Sequence, residues 1–335
     1  MKHLVLAALI LAGCGRHHGG DDDGDSPEVD ASAADGATAD GASIDATPPA
    51  ITRPPGALTL SAGDGGVCGV LLDGTLKCWG ALYMGDITPP TGTFSSVSVG
   101  IDAACGVRTD GTLACWGGYV PGIFTPPSGS FTTVAVGNGF ICAIRSDQTL
   151  TCWGANEDSV LAPPSDTYAW LGTGDILGCG VDTSSFIRCW GQDANPGTIP
   201  PPGIVPDGQA YTSVSAGYGF ACGLDSNTNL RCFGSALTNT DHELSPPGIA
   251  GYTAVSVAGY AGCALSSTGI VNCWGKGYGA DEMYSVPLPS TKLATISLAA
   301  TGYGCGLQSD GTIACWEPAV GGPVPAGTPT DVFQL

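Results

Sequence analysis

Along residues 94–117, FSSVSVGIDAACGVRTDGTLACWG, apolar and polar positions alternate in three short runs. Val97 and Val99, Cys105 and Val107, then Leu113 and Cys115 lie two apart, the period of a strand with one covered face. Gly100 ends the first run and Asp110-Gly111 separates the other two. Asp-Gly between alternating runs is a strong hairpin signal. The pattern predicts a strand ending in Gly, a short loop, and a hairpin. Similar Gly-ending runs stand at VAVG, 134–137, and VSAG, 214–217.

The phrase returns seven times, and its cysteines mark the count. Cys68/Cys78, Cys105/Cys115, Cys142/Cys152, Cys179/Cys189, Cys222/Cys232, Cys263/Cys273 and Cys305/Cys315 all have the spacing C-x9-C. First cysteines follow at steps of 37, 37, 37, 43, 41 and 42 residues, the self-similarity of a repeat architecture. A three-residue loop Thr109-Asp110-Gly111, a type I turn closed by a left-handed glycine, sets Val107 opposite Leu113 and Cys105 opposite Cys115. A two-residue loop would set Cys105 opposite Trp116 instead. Directly opposed strand residues lie about 4.5–5.5 Å apart at Cα, within disulfide range. Seven local disulfides are expected, with pairing across blades as the lesser alternative, and each local bridge contributes on the order of 2–3 kcal/mol in an oxidising compartment. C-x9-C is not zinc spacing, and few histidines are available to help. Ser184-Ser185 and Asn227-Thr228 replace Asp-Gly in repeats four and five, which leaves room for a different turn there.

After each second cysteine comes a large aromatic: Trp79, Trp116, Trp153, Trp190, Phe233, Trp274 and Trp316. Flat side chains at one repeated position are expected to pack between neighbouring sheets. Prolines recur as well, at Pro89-Pro90, Pro126-Pro127, Pro163-Pro164, Pro200 to Pro202, Pro246-Pro247, Pro287/Pro289 and Pro323/Pro325. Unable to donate to a ladder, they suit outer edges or the turns between units. Units of about 40 residues made of short strands form either an open solenoid or a closed propeller. The ends favour closure, because LTLSAG, 58–63, repeats the Gly-ending strand and GTPTDVFQL, 327–335, matches GTFSSVSVG, 92–100. The fold class expected is all-β, a seven-bladed β-propeller closed by its N- and C-terminal strands with one disulfide per blade.

Phrases such as VSVGIDAACGVRTDGTLACWG resemble the repeats of the regulator of chromosome condensation (RCC1) superfamily, whose units carry AxGxxH…DGxxxxWG. Gly100, Asp110, Gly111, Trp116 and Gly117 fall on that pattern, and the resemblance covers residues 57–335. The family's histidine is absent, since the ring's one histidine, His242, lies outside the motif, and cysteines have been added. The chain is similar to cysteine-containing secreted versions, including plant receptor-kinase ectodomains, and to the fold of bacterial beta-lactamase inhibitor protein II. The resemblance implies a seven-bladed propeller and leaves activity open.

The first residues, MKHLVLAALILAGC, join Lys2 to an apolar run too short to span a bilayer as a permanent helix. Leu11-Ala12-Gly13-Cys14 resembles a bacterial lipobox, so residues 1–13 are expected to be a signal peptide and Cys14 an acylated first residue. Several acyl chains would anchor firmly. Residues 14–56, rich in Ala, Gly, Asp and Pro, have almost nothing to bury and are expected to form a disordered tether spanning about 35 Å. The Asp cluster at 21–25 lacks an EF-hand's spaced ligands, and His17-His18 is at most a weak metal site. Gly15 in place of Asp points to the outer membrane rather than the inner one. The expected localisation is the cell envelope, through a lipid anchor, as a monomer.

Composition narrows the chemistry. The 335 residues include 53 Gly and 25 Pro but only 12% charged residues, as in a turn-rich β protein, and the formal charge of −20 would repel nucleic acid. Within residues 57–335, one histidine, seven Lys or Arg and scattered carboxylates show no repeated catalytic spacing, and GxSxG, HExxH and phosphate loops are absent. No enzyme, cofactor or metal is expected. Residues placed after the strand glycines, Asp64, Asp102, Asn138, Asp175, Tyr218, Tyr260 and Tyr303, are expected to form a ring on one face. An acidic and aromatic rim suits a basic protein surface, a cationic group or a sugar. Ordinary loop residues in an acidic protein would look the same. The function classes left are a protein-binding scaffold or inhibitor, a carbohydrate-binding module, and a purely structural surface repeat.

Overall fold

The computed structural model describes residues 59–335 apart from 83–84, 119–124, 155–159, 192–202, 205–206, 235–243, 249, 276–283, 286–291, 318–327, 332 and 335. Cys14, the 1–13, 14–56 and 57–58 segments, His242, and the prolines at 200–202, 287, 289, 323 and 325 lie outside the described residues. The ring unit, Pro48–Leu335, is described by itself.

Seven antiparallel sheets follow one another along the chain. In each, an inner strand leads to a middle and then an outer one. The inner strands are Leu60–Ala62, Phe94–Val99, Phe131–Val136, Tyr168–Thr173, Tyr211–Ala216, Tyr252–Ala258 and Leu293–Leu298. In blade two the middle and outer strands are Ala103–Arg108 and Leu113–Gly117. Blades four and six add a fourth strand, Gly203–Ile204 and Tyr284–Ser285. Together these make the seven-bladed, all-β propeller that the repeat implies.

The hairpin register is the one the cysteines require: Cys105 faces Cys115 and Val107 faces Leu113. All seven pairs are disulfide-bonded, with Cα atoms 4.0–4.1 Å apart. The turn is also the expected three-residue loop. Arg108 N–H donates to Thr112 O at 2.8 Å, Gly111 N–H to Arg108 O at 2.8 Å, and Gly111 takes φ +85°. Asp110 Oδ1 accepts from the Thr112 N–H and hydroxyl, stiffening the loop. Repeats four and five keep the same turn rather than a different one. Ser185 and Thr228 adopt the left-handed conformation at φ 69° and 64°, and Gln148 does so in blade three at 70°. Buried Asp182 and Asp225, two positions before Ser184 and Asn227, hold these turns by accepting backbone N–H bonds and pairing with Arg188 and Arg231.

Seven hydrophobic clusters lie one at each seam between blades. Between blades one and two, Val70, Leu82, Val97, Val99 and Trp116 pack together. Trp116 Nε1–H donates to Ile87 O at 3.0 Å and Trp190 Nε1–H to Val160 O at 3.0 Å, so the repeated aromatic sits between sheets as expected. Glycine makes room at these seams. A Cβ on Gly106 would stand 2.6 Å from Phe94 Cδ1, and one on Gly69 2.5 Å from Phe333 Cδ1. Of the recurring prolines, those at 89–90, 126–127, 163–164 and 246–247 are described, and they lie in irregular connections between blades.

A hydroxyl stitches neighbouring inner strands. Ser61 Oγ accepts the Val99 N–H at 2.9 Å, Ser98 the Val136 N–H at 3.0 Å, Ser215 the Val257 N–H at 3.0 Å, and Ser256 the Leu298 N–H at 2.9 Å. The same bond closes the circle, from Ala62 N–H in blade one to Ser297 Oγ in blade seven at 2.9 Å. Ala135 and Gly172 hold the serine position in blades three and four. At the seam from four to five, Trp170 Nε1–H donates to Val214 O at 2.9 Å instead.

The C-terminus also closes the ring, in a register that differs from the sequence match. Aligning 327–335 with 92–100 would put Phe333 at the place of Ser98. In the structure Phe333 takes the place of Phe94: its N–H donates to Gly311 O, as that of Phe94 donates to Gly74 O. Phe333 bridges Leu71, and Gln334 N–H donates to Val70 O at 2.8 Å. Blade one's inner strand is thus composite, begun by the C-terminus and completed by Leu60–Ala62. The aromatic, buried against Trp79 and Leu307, decides this register, because a residue that fills the seam outweighs matching of short polar stretches.

Two substitutions test these local claims by chemical denaturation. Ser98→Ala strands a buried N–H and is expected to lower stability by about 1–3 kcal/mol. Thr228→Gly relieves a β-branched residue at positive φ and is expected to raise it by about 1 kcal/mol.

Candidate functional site

The inner strands end at a channel mouth, and the two-residue turns there decide which side chains reach it. Gly63 N–H donates to Gly66 O, Gly100 to Ala103, Gly137 to Phe140, Gly174 to Leu177 and Gly217 to Phe220. In blade six Ala258 pairs with Ala261, and in blade seven Ala299 N–H donates to Tyr303 O. The first turn residues are therefore Asp64, Ile101, Asn138, Asp175, Tyr218, Gly259 and Ala300.

This corrects one of the seven expected rim positions, Tyr303, and moves two others within their turns. Asp102 and Tyr260 are second, not first, in their turns. Gly259 is itself a turn residue at φ +52°, so counting one place past it overshoots. Tyr303 is not on a rim at all. Blade seven's turn is one residue longer, Gly302 lies within it at φ +95°, and Tyr303 starts the middle strand. It is 1% exposed, its hydroxyl donates to Gly63 O at 2.5 Å, and it packs in the seam between blades seven and one. Burial raises its pKa.

A cavity of about 140 Å³ runs down the ring's centre, lined by all seven inner strands. Its lining includes Asp64, Ile101, Asn138, Asp175, Gly259 and Ala300, six of the seven first turn residues. Tyr218, Asp102 and Tyr260 are half-buried outside that lining. The Tyr218 and Tyr260 rings lie 5.0 Å apart at 46°. The volume falls short of the roughly 300–1,000 Å³ of small-molecule sites, so the cavity itself suits one slender group rather than a cofactor. No trio of His, Cys, Asp or Glu among the described residues is placed to hold a metal ion.

The mouth is electrostatically uneven. Asp64 accepts backbone N–H bonds from Thr301 and Ala300, yet its Oδ1 is buried without a partner. Burial raises its pKa, the two N–H bonds oppose that, and the charge of Asp102 adds to the rise. Asp175 is raised to about 6, first by burial and then by the charge of Asp64. It accepts no hydrogen bond and pairs with no cation among the described residues. Two carboxylates that repel each other line one cavity, and the paired tyrosines stand on the blades beyond.

Trp170 was missed. Thr59, Ser96, Thr133, Ser213, Ala254 and Thr295 occupy its place in the other blades, so a lone Trp there breaks the repeat. It also lines the cavity, beside Gly172, where a Cβ would stand 2.8 Å from Val214 O. Aligning the inner strands on their cysteines would have singled it out.

Residues 131–159, the third blade, match the model for the regulator of chromosome condensation (RCC1) repeat. No curated protein matches the chain. Among solved structures, the chain is similar to the CRINKLY WD40 ectodomain of the Arabidopsis thaliana receptor kinase ACR4, at 20% identity and TM-score 0.63, covering 82% of this chain and 98% of that one. The ectodomain of the Physcomitrella patens receptor kinase CR4 is similar at 21% identity and TM-score 0.62, covering 77% and 72%. Prp20p of Saccharomyces cerevisiae, the yeast RCC1, is similar at 12% identity and TM-score 0.60, covering 71% and 79%. At these identities the likeness is one of fold.

The raised Asp175 sets a pH signature. Its folded pKa of about 6 exceeds the usual 3.8, so its charge costs stability fully above pH 6 and nothing below pH 4. Asp175→Asn is expected to stabilise the ring by about 1–2 kcal/mol at pH 7.5, after allowance for partial exposure, and to make no difference at pH 3.5. Thermal unfolding at the two pH values reads this directly.

Proposed function

We propose that this RCC1-type propeller is a protein-binding scaffold, exported and held to the cell envelope by lipid on Cys14, that docks a basic partner over its channel mouth. The propeller generally serves as a scaffold for binding proteins, and seven disulfides fit an extracellular or otherwise oxidising compartment. Prp20p, which shares the fold, binds Gsp1p and histones, and protein binding is the role proposed for this propeller too.

One observation supports the basic partner above others. Asp175 lies in the cavity lining with no hydrogen bond or cation of its own among the described residues, facing a second carboxylate. A guanidinium or ammonium from outside would relieve that repulsion, and the neighbouring tyrosine pair offers aromatic faces to its stem. In a chain of net charge −20, long-range attraction would steer such a partner in. The tether, 14–56, would let the ring reach away from the membrane surface. Outer-membrane placement is part of the proposal.

Binding of an acetylated, amidated tetra-arginine peptide to the full chain, measured by calorimetry at 150 mM salt, is the test. Asp175→Asn is expected to weaken it at least fivefold, whereas Asp86→Asn, an equal charge change on an exposed turn, should leave it within twofold. Equal effects of the two substitutions would reduce the binding to bulk charge and overturn the proposal. Tyr218→Ala that abolished glycan-array signal while sparing peptide binding would instead favour a sugar ligand.

A further inference from the structure

The seven disulfides are chemically alike but not equally reachable. The first cysteine of every pair is fully buried. The second differs between blades. Cys189 and Cys273 are 0% exposed, whereas Cys78, Cys115, Cys152, Cys232 and Cys315 are only partly buried at the edges of their clusters. The division follows the sheet topology. Blades four and six are the two with a described fourth strand, and that strand pairs directly on the second cysteine: Gly203 faces Cys189, and Tyr284 faces Cys273. A backbone laid along the outer strand covers the sulfur beneath it.

From this we infer that Cys78, Cys115, Cys152, Cys232 and Cys315 are sites of S-thiolation by small external thiols, while the Cys179–Cys189 and Cys263–Cys273 bridges are sealed. Exchange requires a thiolate to approach one sulfur in line with the bond it breaks, so access selects both the bridge and the sulfur attacked. The external thiolate bonds to the outer-strand Sγ, the S–S bond breaks, and the electron pair leaves on the inner sulfur, which takes a proton. Overall, one protein disulfide and one thiol become one mixed disulfide and one protein thiol, with no net oxidation or reduction. A second external thiol can displace the first, giving a small-molecule disulfide and a second protein thiol. The inner sulfur is buried and so a poorly stabilised thiolate, which makes reclosure compete and an excess of thiol necessary.

The consequence is a ring whose five partly buried staples open under a reducing thiol while two, in blades four and six, persist. Those blades flank blade five, so an intact hairpin staple persists on either side of the blade that carries Tyr218.

Glutathione is the probe. The folded full chain is incubated with excess glutathione at pH 8, quenched in acid, and mapped by mass spectrometry. Adducts are expected on the five outer-strand cysteines at least tenfold faster than on Cys179, Cys189, Cys263 or Cys273. Equal rates in all seven bridges, or first adducts on the inner cysteines, would overturn the inference. So would rates that climb with low urea in step with unfolding, since the attack would then pass through the unfolded chain. The double substitution Gly203→Pro/Ile204→Pro strips the fourth strand of blade four of its amide donors. Cys189 is then expected to join the fast group while Cys273 stays slow; no change at Cys189 would contradict the role of that strand.

Discussion

An inner strand pairs with a neighbour on one side only, and the amides on its other edge must find acceptors elsewhere. A buried N–H without one costs as much as a lost hydrogen bond. Here the next blade's edge is answered by a serine hydroxyl at five of seven seams, including the one that joins blade seven to blade one. An open row of blades would leave Ala62 N–H at one end and Ser297 Oγ at the other. The circle satisfies both. The wedge-shaped clusters between blades, the shared strand of blade one and the central cavity all follow from that closure.

Much of this architecture was legible in the sequence because its determinants are local. Cysteines ten apart with Asp-Gly between them fix the hairpin, and the repeat fixes the number of hairpins. Even Ser185 and Thr228, which lack the glycine, keep the turn at positive φ, since hydrogen bonds to Asp182 and Asp225 a few residues away hold it against the added strain. The serine staple was equally visible as the recurring V-S-V-G and V-S-A-G, but its meaning was not. Its acceptor and donor lie 38 to 42 residues apart, and 235 apart at closure, so the hydroxyl's partner exists only once the ring does.

The site was less legible for a related reason. Counting from a glycine works only where the glycine plays one role. Gly100 ends a strand, but Gly259 and Gly302 sit inside turns, and blade seven carries one more turn residue. Tyr303 consequently belongs to the closing seam, while Asp64, Asn138 and Asp175 do meet at the cavity. What distinguishes the mouth is departure from the repeat: acids in blades one and four, tyrosines in five and six, and Trp170 beside Gly172. Identical blades build the frame, and unequal ones give it a side on which binding chemistry can collect.

Native-state hydrogen exchange at Ala62 tests closure most directly, because this amide has its acceptor 235 residues away and nowhere nearer. A closed ring predicts that Ala62 exchanges as slowly as Val99 and Val136, whose serine acceptors lie in adjacent blades within the chain. Rapid exchange at Ala62 alongside slow exchange at Val99 and Val136 would mean that blades seven and one do not meet, and would contradict the account.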